Sequence, residues 1–137
     1  MELEVLKMAR GFVAQGWCKV LAETKGKRVW MPQGEWVLSD PKNPNSDLKF
    51  QDAEAWSMTG AILRAELLVR GGKLGDHYPL YKTDAHKFVL EAVKERGFYS
   101  LADFNDPDRA RGSHKQQDML DVMDRAIVLA ENFYACN

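Results

Sequence analysis

Residues 52–72, DAEAWSMTGAILRAELLVRGG, decide the fold. Drawn as a helix, this stretch places Ala55, Met58, Thr59, Ile62 and Val69 on one side and Trp56, Gly60, Leu63 and Leu67 on an adjoining one. Apolar residues over so wide an arc mark a helix buried on more than one face. Ser57, Thr59, Gly60 and Ala61 are small, which lets another element approach the backbone closely, and Gly71-Gly72 supplies a stop. The pattern predicts a central helix from Asp52 to Arg70.

Working outward, Leu3, Val5, Leu6, Ala9, Phe12 and Val13 recur at three- and four-residue steps, which predicts an amphipathic helix over Glu2 to Gln15 closed by Gly16. WCKVLAETKGKRVWMPQGEWVL (17–38) follows, with β-branched and aromatic residues around turn-like Lys25-Gly26-Lys27 and Pro32-Gln33-Gly34. It reads as a small β-hairpin with room for a third strand. SDPKNPNSD (39–47) and GGKLGDHYPLYK (71–82) read as loops. Beyond the second, Thr83 is suited to cap a helix whose stripe is Ala85, Phe88, Val89, Ala92 and Val93, with Gly97 as its end. Ser113 and Gln116 match a capping box, so a last helix is expected from near His114. Its stripe is Met119, Leu120, Met123, Ala126, Ile127, Ala130 and Phe133. FNDPDRARG (104–112) is then an irregular segment ahead of it, where Asn105 and Asp106 suit an Asx turn. The fold class is mainly α (α+β), with about four helices packed in one pair of layers and a β-hairpin inserted after the first helix.

The chain has 137 residues, a length that fits one globular domain over 1–137. Its 45% hydrophobic and 28% charged residues are those of a globular protein. A formal charge of -1 leaves no global field for nucleic acid or an anionic membrane. Cys18 and Cys136 lack metal-ligand spacing and read as free thiols of a cytoplasmic protein. No stretch has the pattern of a signal peptide or a membrane span.

Three segments, RGFVAQGWCKV (10–20), AWSMTGAILRAE (55–66) and SLADFNDPDRARGSHKQQDMLDVMDRAIVLA (100–130), resemble an uncharacterised family of small bacterial and phage-encoded proteins. Its members carry Gly-Trp-Cys, Trp-Cys-Leu-x-Gly-Ala-Leu and Trp-Asn-Asp motifs. Ser57 stands where members tend to have Cys, and Phe104 where they tend to have Trp. The resemblance implies a microbial or phage origin and assigns no catalytic residue.

The densest polar cluster is Asn105, Asp106, Asp108, Arg109, Arg111, Ser113 and His114, at a predicted helix start. These residues fit an anion site built on helix N–H groups and arginines, and they equally fit turns and caps. His114, Asp118 and Asp121 have the spacing of one helix face, which solubility explains as well as metal binding does. No metal or cofactor is expected. Cys18 beside Lys19, or His114, is the starting point for a small hydrolase. Lys25, Lys27 and Arg28 beside Trp30 and Trp36 suit a nucleic-acid- or nucleotide-binding module. The favoured expectation is a non-enzymatic interaction protein that binds a host protein through Trp30, Trp36, Tyr78 and Tyr81, rimmed by Lys25, Lys27 and Arg28.

Overall fold

The computed structural model describes residues 1–19, 22–24, 27–28, 53–72, 80–108 and 111–136. Among these residues the fold is mainly helical, as expected, with a short antiparallel hairpin after the first helix. The elements run α1 (Glu2–Gln15), β1 (Ala22–Thr24), β2 (Lys27–Arg28), β3 (Ala55–Trp56), α2 (Met58–Val69), a 3-10 turn (Leu80–Lys82), α3 (Asp84–Glu95), α4 (Leu101–Asn105) and α5 (Gln116–Ala135).

Helix α2 lies at the centre, with Met58, Gly60, Ala61, Ile62, Leu63, Ala65, Glu66 and Leu67 all buried. Its wide apolar arc is therefore used on several sides, against α1, α3 and α4. Helix α1 contributes Val5, Leu6, Ala9 and Val13 to the same core and also packs on α5. Helix α5 adds Met119, Val122, Met123, Ala126 and Ala130, while α3 closes the layer with Ala85, Val89, Ala92 and Val93. Full burial of one such Ile or Leu is worth roughly 1.5–3 kcal/mol, so the α1–α2–α5 interior dominates stability.

Three local expectations change. The central helix starts at Met58, because Ala55–Trp56 forms β3 in a sheet of order β2-β1-β3, paired antiparallel to β1 as Ala22↔Trp56 and Glu23↔Ala55. Ser57 turns the chain from strand to helix, its Oγ accepting the Gly60 N–H at 3.0 Å. Gly16 closes α1 as expected, in extended backbone (φ -173). Glycine is needed there because Trp56 N–H donates to its carbonyl at 3.0 Å and a Cβ would collide with the Glu54 carbonyl. Part of 104–112 is helical, since α4 is capped by Ser100, whose Oγ accepts from Asp103 N–H at 3.1 Å. Helix α5 begins at Gln116, near His114 as expected, but with Lys115 at its cap, where the Lys115 N–H donates to the Asp118 carboxylate at 2.7 Å. The expected Ser113–Gln116 box does not form: Gln116 instead donates to the carbonyls of Val13 and Ala14 at 2.7 and 3.2 Å, closing the end of α1.

Thr83 caps α3 as its sequence predicts, accepting from His86 N–H at 3.3 Å and donating to the Leu80 carbonyl at 2.8 Å. Gly71, Gly72 and Gly97 all take positive φ after their helices. Two bidentate ion pairs join helices at the surface, Arg10 with Asp124 (α1–α5) and Arg125 with Glu95 (α3–α5). Each holds its carboxylate and guanidinium in register, and screening by solvent keeps its contribution to stability small.

Candidate functional site

Residues 97–108 and 111–114 converge on a polar node. Asn105, the last residue of α4, is 3% exposed. Its Oδ1 accepts from Trp17 Nε1–H at 2.9 Å and from Met58 N–H at 3.1 Å, and its Nδ2 donates to the Cys18 carbonyl at 3.0 Å. The Met58 N–H is one of the free donors at the start of α2, and a buried donor without a partner is destabilising. Asn105 thus joins α4, the start of α2 and the strand-like turn after α1 in one side chain. It does not form the expected Asx turn. Asp108 makes a side-chain-to-backbone bond in this segment, its Oδ1 accepting from the Arg111 N–H at 3.2 Å.

The neighbouring cationic groups are engaged in the same scaffold. Arg111 stacks its guanidinium 3.7 Å from the centre of the Phe98 ring, donates to the Gly97 carbonyl at 2.6 Å and reaches Asp103 at 3.5 Å. His114 donates from Nδ1 to the Phe104 carbonyl at 2.7 Å, and its ring lies 4.2 Å from that of Phe104 and 5.2 Å from that of Phe98. The donor is assigned to Nδ1 because the partner is a carbonyl oxygen. Asp118 is occupied by the Lys115 N–H and Asp121 by the Gln117 amide at 2.8 Å. Among the described residues no three His, Cys, Asp or Glu side chains converge as metal ligands.

A cleft of about 680 Å³ opens beside this node, lined among the described residues by Lys19, Asp106, Pro107, Asp108, Gly112 and Ser113. Lys19 pairs with Asp106 at 3.5 Å across it. Among the described residues the lining carries two carboxylates, Asp106 and Asp108, and one ammonium, Lys19, and Arg109 lies outside the described residues. Cys18 is 7% exposed behind this wall, and neither it nor His114 lines the cleft.

Of the predicted docking residues, Lys25, Trp30, Trp36 and Tyr78 lie outside the described residues, and Lys27 and Arg28 form β2. Tyr81, on the 3-10 turn before α3, is 62% exposed.

A second surface was missed because its members read as parts of apolar stripes. Helices α3 and α5 run antiparallel, and where α3 begins and α5 ends their side chains frame a groove of about 240 Å³ lined by Asp84, Lys87, Phe88, Glu91, Phe133 and Tyr134. The three rings stand edge to face, with centres 5.7 Å (Phe88–Phe133), 5.9 Å (Phe88–Tyr134) and 5.2 Å (Phe133–Tyr134) apart. Phe133, expected in the core stripe, is 55% exposed, and Tyr134 is 37% exposed. The Tyr134 hydroxyl donates to Glu2 at 3.3 Å, and its pKa is raised by partial burial and by the charges of Glu2 and Asp84. The signal available in sequence was the Phe133-Tyr134 pair: neighbours on a helix point about 100° apart, so one buried stripe does not take both.

No protein-family model, no curated protein and no solved structure matches this chain. Among the described residues no helix is long and apolar enough to cross a membrane.

Proposed function

We propose that the chain is a non-enzymatic interaction module that acts in the cytoplasm by binding and modulating a protein partner. The observation that carries this reading is the aromatic trio at the α3–α5 end, exposed Phe133 and Tyr134 set against half-buried Phe88. Exposed aromatic rings with a charged rim are the usual anchors of a protein interface, because they bury a large area at small entropic loss. The engagement of Asn105, Arg111 and His114 in internal hydrogen bonds supports the structural reading of that cluster. The resemblance to phage- and bacterium-encoded proteins supports a host protein as the partner, with a defence component as the specific candidate.

Affinity capture from host lysate, with and without nuclease, tests this. A protein that survives nuclease and is lost on Phe133→Ala or on Trp36→Ala is the expected result, and the variant that loses it identifies the face. Recovery of nucleic acid alone would replace this reading with the nucleic-acid-binding alternative.

A further inference from the structure

The α3–α5 groove carries a sign as well as an apolar floor. Asp84 and Glu91 line it, and Glu2 reaches it through Tyr134. Two cations lie against these three acids: the amino terminus 3.9 Å from Glu2, and Lys87 3.8 Å from Asp84. Arg125, the nearest arginine on α5, is committed to Glu95 at 2.8 and 3.0 Å. The last turn of α5 contains no basic residue, so the partial negative charge of its carbonyl end is uncompensated by the helix itself. Rings, carboxylates and a helix C-terminus all favour a positive group.

Size narrows the class. A groove of about 240 Å³ takes one large side chain and falls below the roughly 300–1,000 Å³ of small-molecule sites. Further contact must come from a longer ligand lying across the surface, and Tyr81, 62% exposed just before the Thr83 cap, is available at the same end of α3. We propose that the groove seats a basic segment of a partner protein, with a Lys or Arg side chain laid over Phe88 and Phe133 and its charged head meeting Glu91 and Asp84. The aliphatic stem covers the ring surface, and the cation gains from both the ring faces and the carboxylates.

This inference rests on the groove being the partner surface, and the test separates the two. A short amidated peptide of leucine and lysine with helical patterning is titrated against the whole protein, followed by calorimetry and by the amide resonances of α3 and α5. Its counterpart with glutamate for lysine, and n-butylammonium as a free cation, serve as the other arms. The lysine peptide is expected to shift resonances at the start of α3 and the end of α5, to weaken with salt, and to lose about tenfold or more in affinity in Phe133→Ala and in Glu91→Lys. Both positions are solvent-exposed, and retained melting temperatures confirm that the variants fold. Equal binding of the glutamate peptide, or lysine-peptide binding indifferent to both variants, overturns the proposal. So does n-butylammonium binding as tightly as the peptide, which would make this a small-cation site. If Phe133→Ala abolishes partner capture while the lysine peptide fails to bind, the interface stands and the basic occupant falls. If partner capture survives Phe133→Ala and the peptide still fails, both fall.

Discussion

In the node that joins α4 to α2 a carboxamide, Asn105, is 3% exposed, whereas in the groove between α3 and α5 a phenyl ring, Phe133, is 55% exposed. Each placement runs against the ordinary partition of polar and apolar groups. The node is stable because the polarity of Asn105 is used up: it accepts two hydrogen bonds and donates one, all within groups near the core. The groove offers no such internal accounting. Phe133 and Tyr134 contact Phe88 and then face solvent, which is where an outside partner can be recognised. Polar groups buried here hold the fold together, and apolar groups left exposed offer a surface for recognition.

Glu66 puts the first half of that contrast under the greatest load. It is fully buried on α2, with Oε2 accepting from Arg70 Nε at 2.7 Å and Oε1 without a hydrogen-bond partner. Arg70→Met removes the hydrogen-bond partner that Glu66 has among the described residues, and is expected to destabilise by about 3–5 kcal/mol in urea unfolding. Adding Glu66→Leu should recover most of that loss, because the charge is gone and the site is apolar. A double variant as unstable as Arg70→Met would show that Glu66 holds more of the fold than this pair.

Asn105→Leu tests the node itself. It leaves the Met58 N–H, the Trp17 indole N–H and the Cys18 carbonyl without their partner, and the buried Met58 donor bears most of the loss. About 3 kcal/mol is expected, from one to two unsatisfied groups. Loss of hydrogen-exchange protection should concentrate at the start of α2 and around α4. A uniform decrease across the protein would mean that the node does not organise those termini.

How much of this was legible differs between the two regions for a physical reason. Helix periodicity is local, so α1, α3, the body of α2 and the stripe of α5 could be read from apolar spacing, and Thr83 from its cap chemistry. Strand pairing is not local: Ala55 and Trp56 look helical beside Met58 and Ile62, and only the β1 partner makes them extended. The node was visible as a cluster of turn residues, but the partners of Asn105 lie 88, 47 and 87 residues away, beyond any window of spacing. The groove was hidden in the opposite way. Phe88 and Phe133 have core spacing, and what exposes Phe133 is that no described element covers the ends of α3 and α5.

A smaller effect is expected from acid. Burial lowers the pKa of His86 from its ordinary 6.5, and its Nδ1 is buried without a hydrogen-bond partner. Between 6.5 and the lower folded value the unfolded chain binds more protons than the native one, so stability falls as pH drops through this window and is flat in this respect above it. The Arg125 hydrogen bond holds Glu95 below its ordinary 4.5, so the contribution of that pair is lost only at still lower pH. His86→Gln should flatten the decline between 6.5 and 4.5 while leaving the deeper acid transition in place. An identical pH profile would place the acid sensitivity elsewhere.

The least change in stability belongs to Phe133→Ala. A fully buried phenylalanine such as Phe104, 1% exposed and stacked on Phe98 and His114, should lose about 3–5 kcal/mol on truncation, since its cavity cannot refill. Phe133 keeps its edge contacts with Phe88 and Tyr134 but has already left more than half its surface in water, so less than about 1 kcal/mol is expected. Thermal unfolding of the two alanine variants side by side measures the contrast directly. A Phe133→Ala protein nearly as destabilised as Phe104→Ala would mean that the ring is a structural lock between α3 and α5, and the groove would lose its claim to be a surface kept open for a partner.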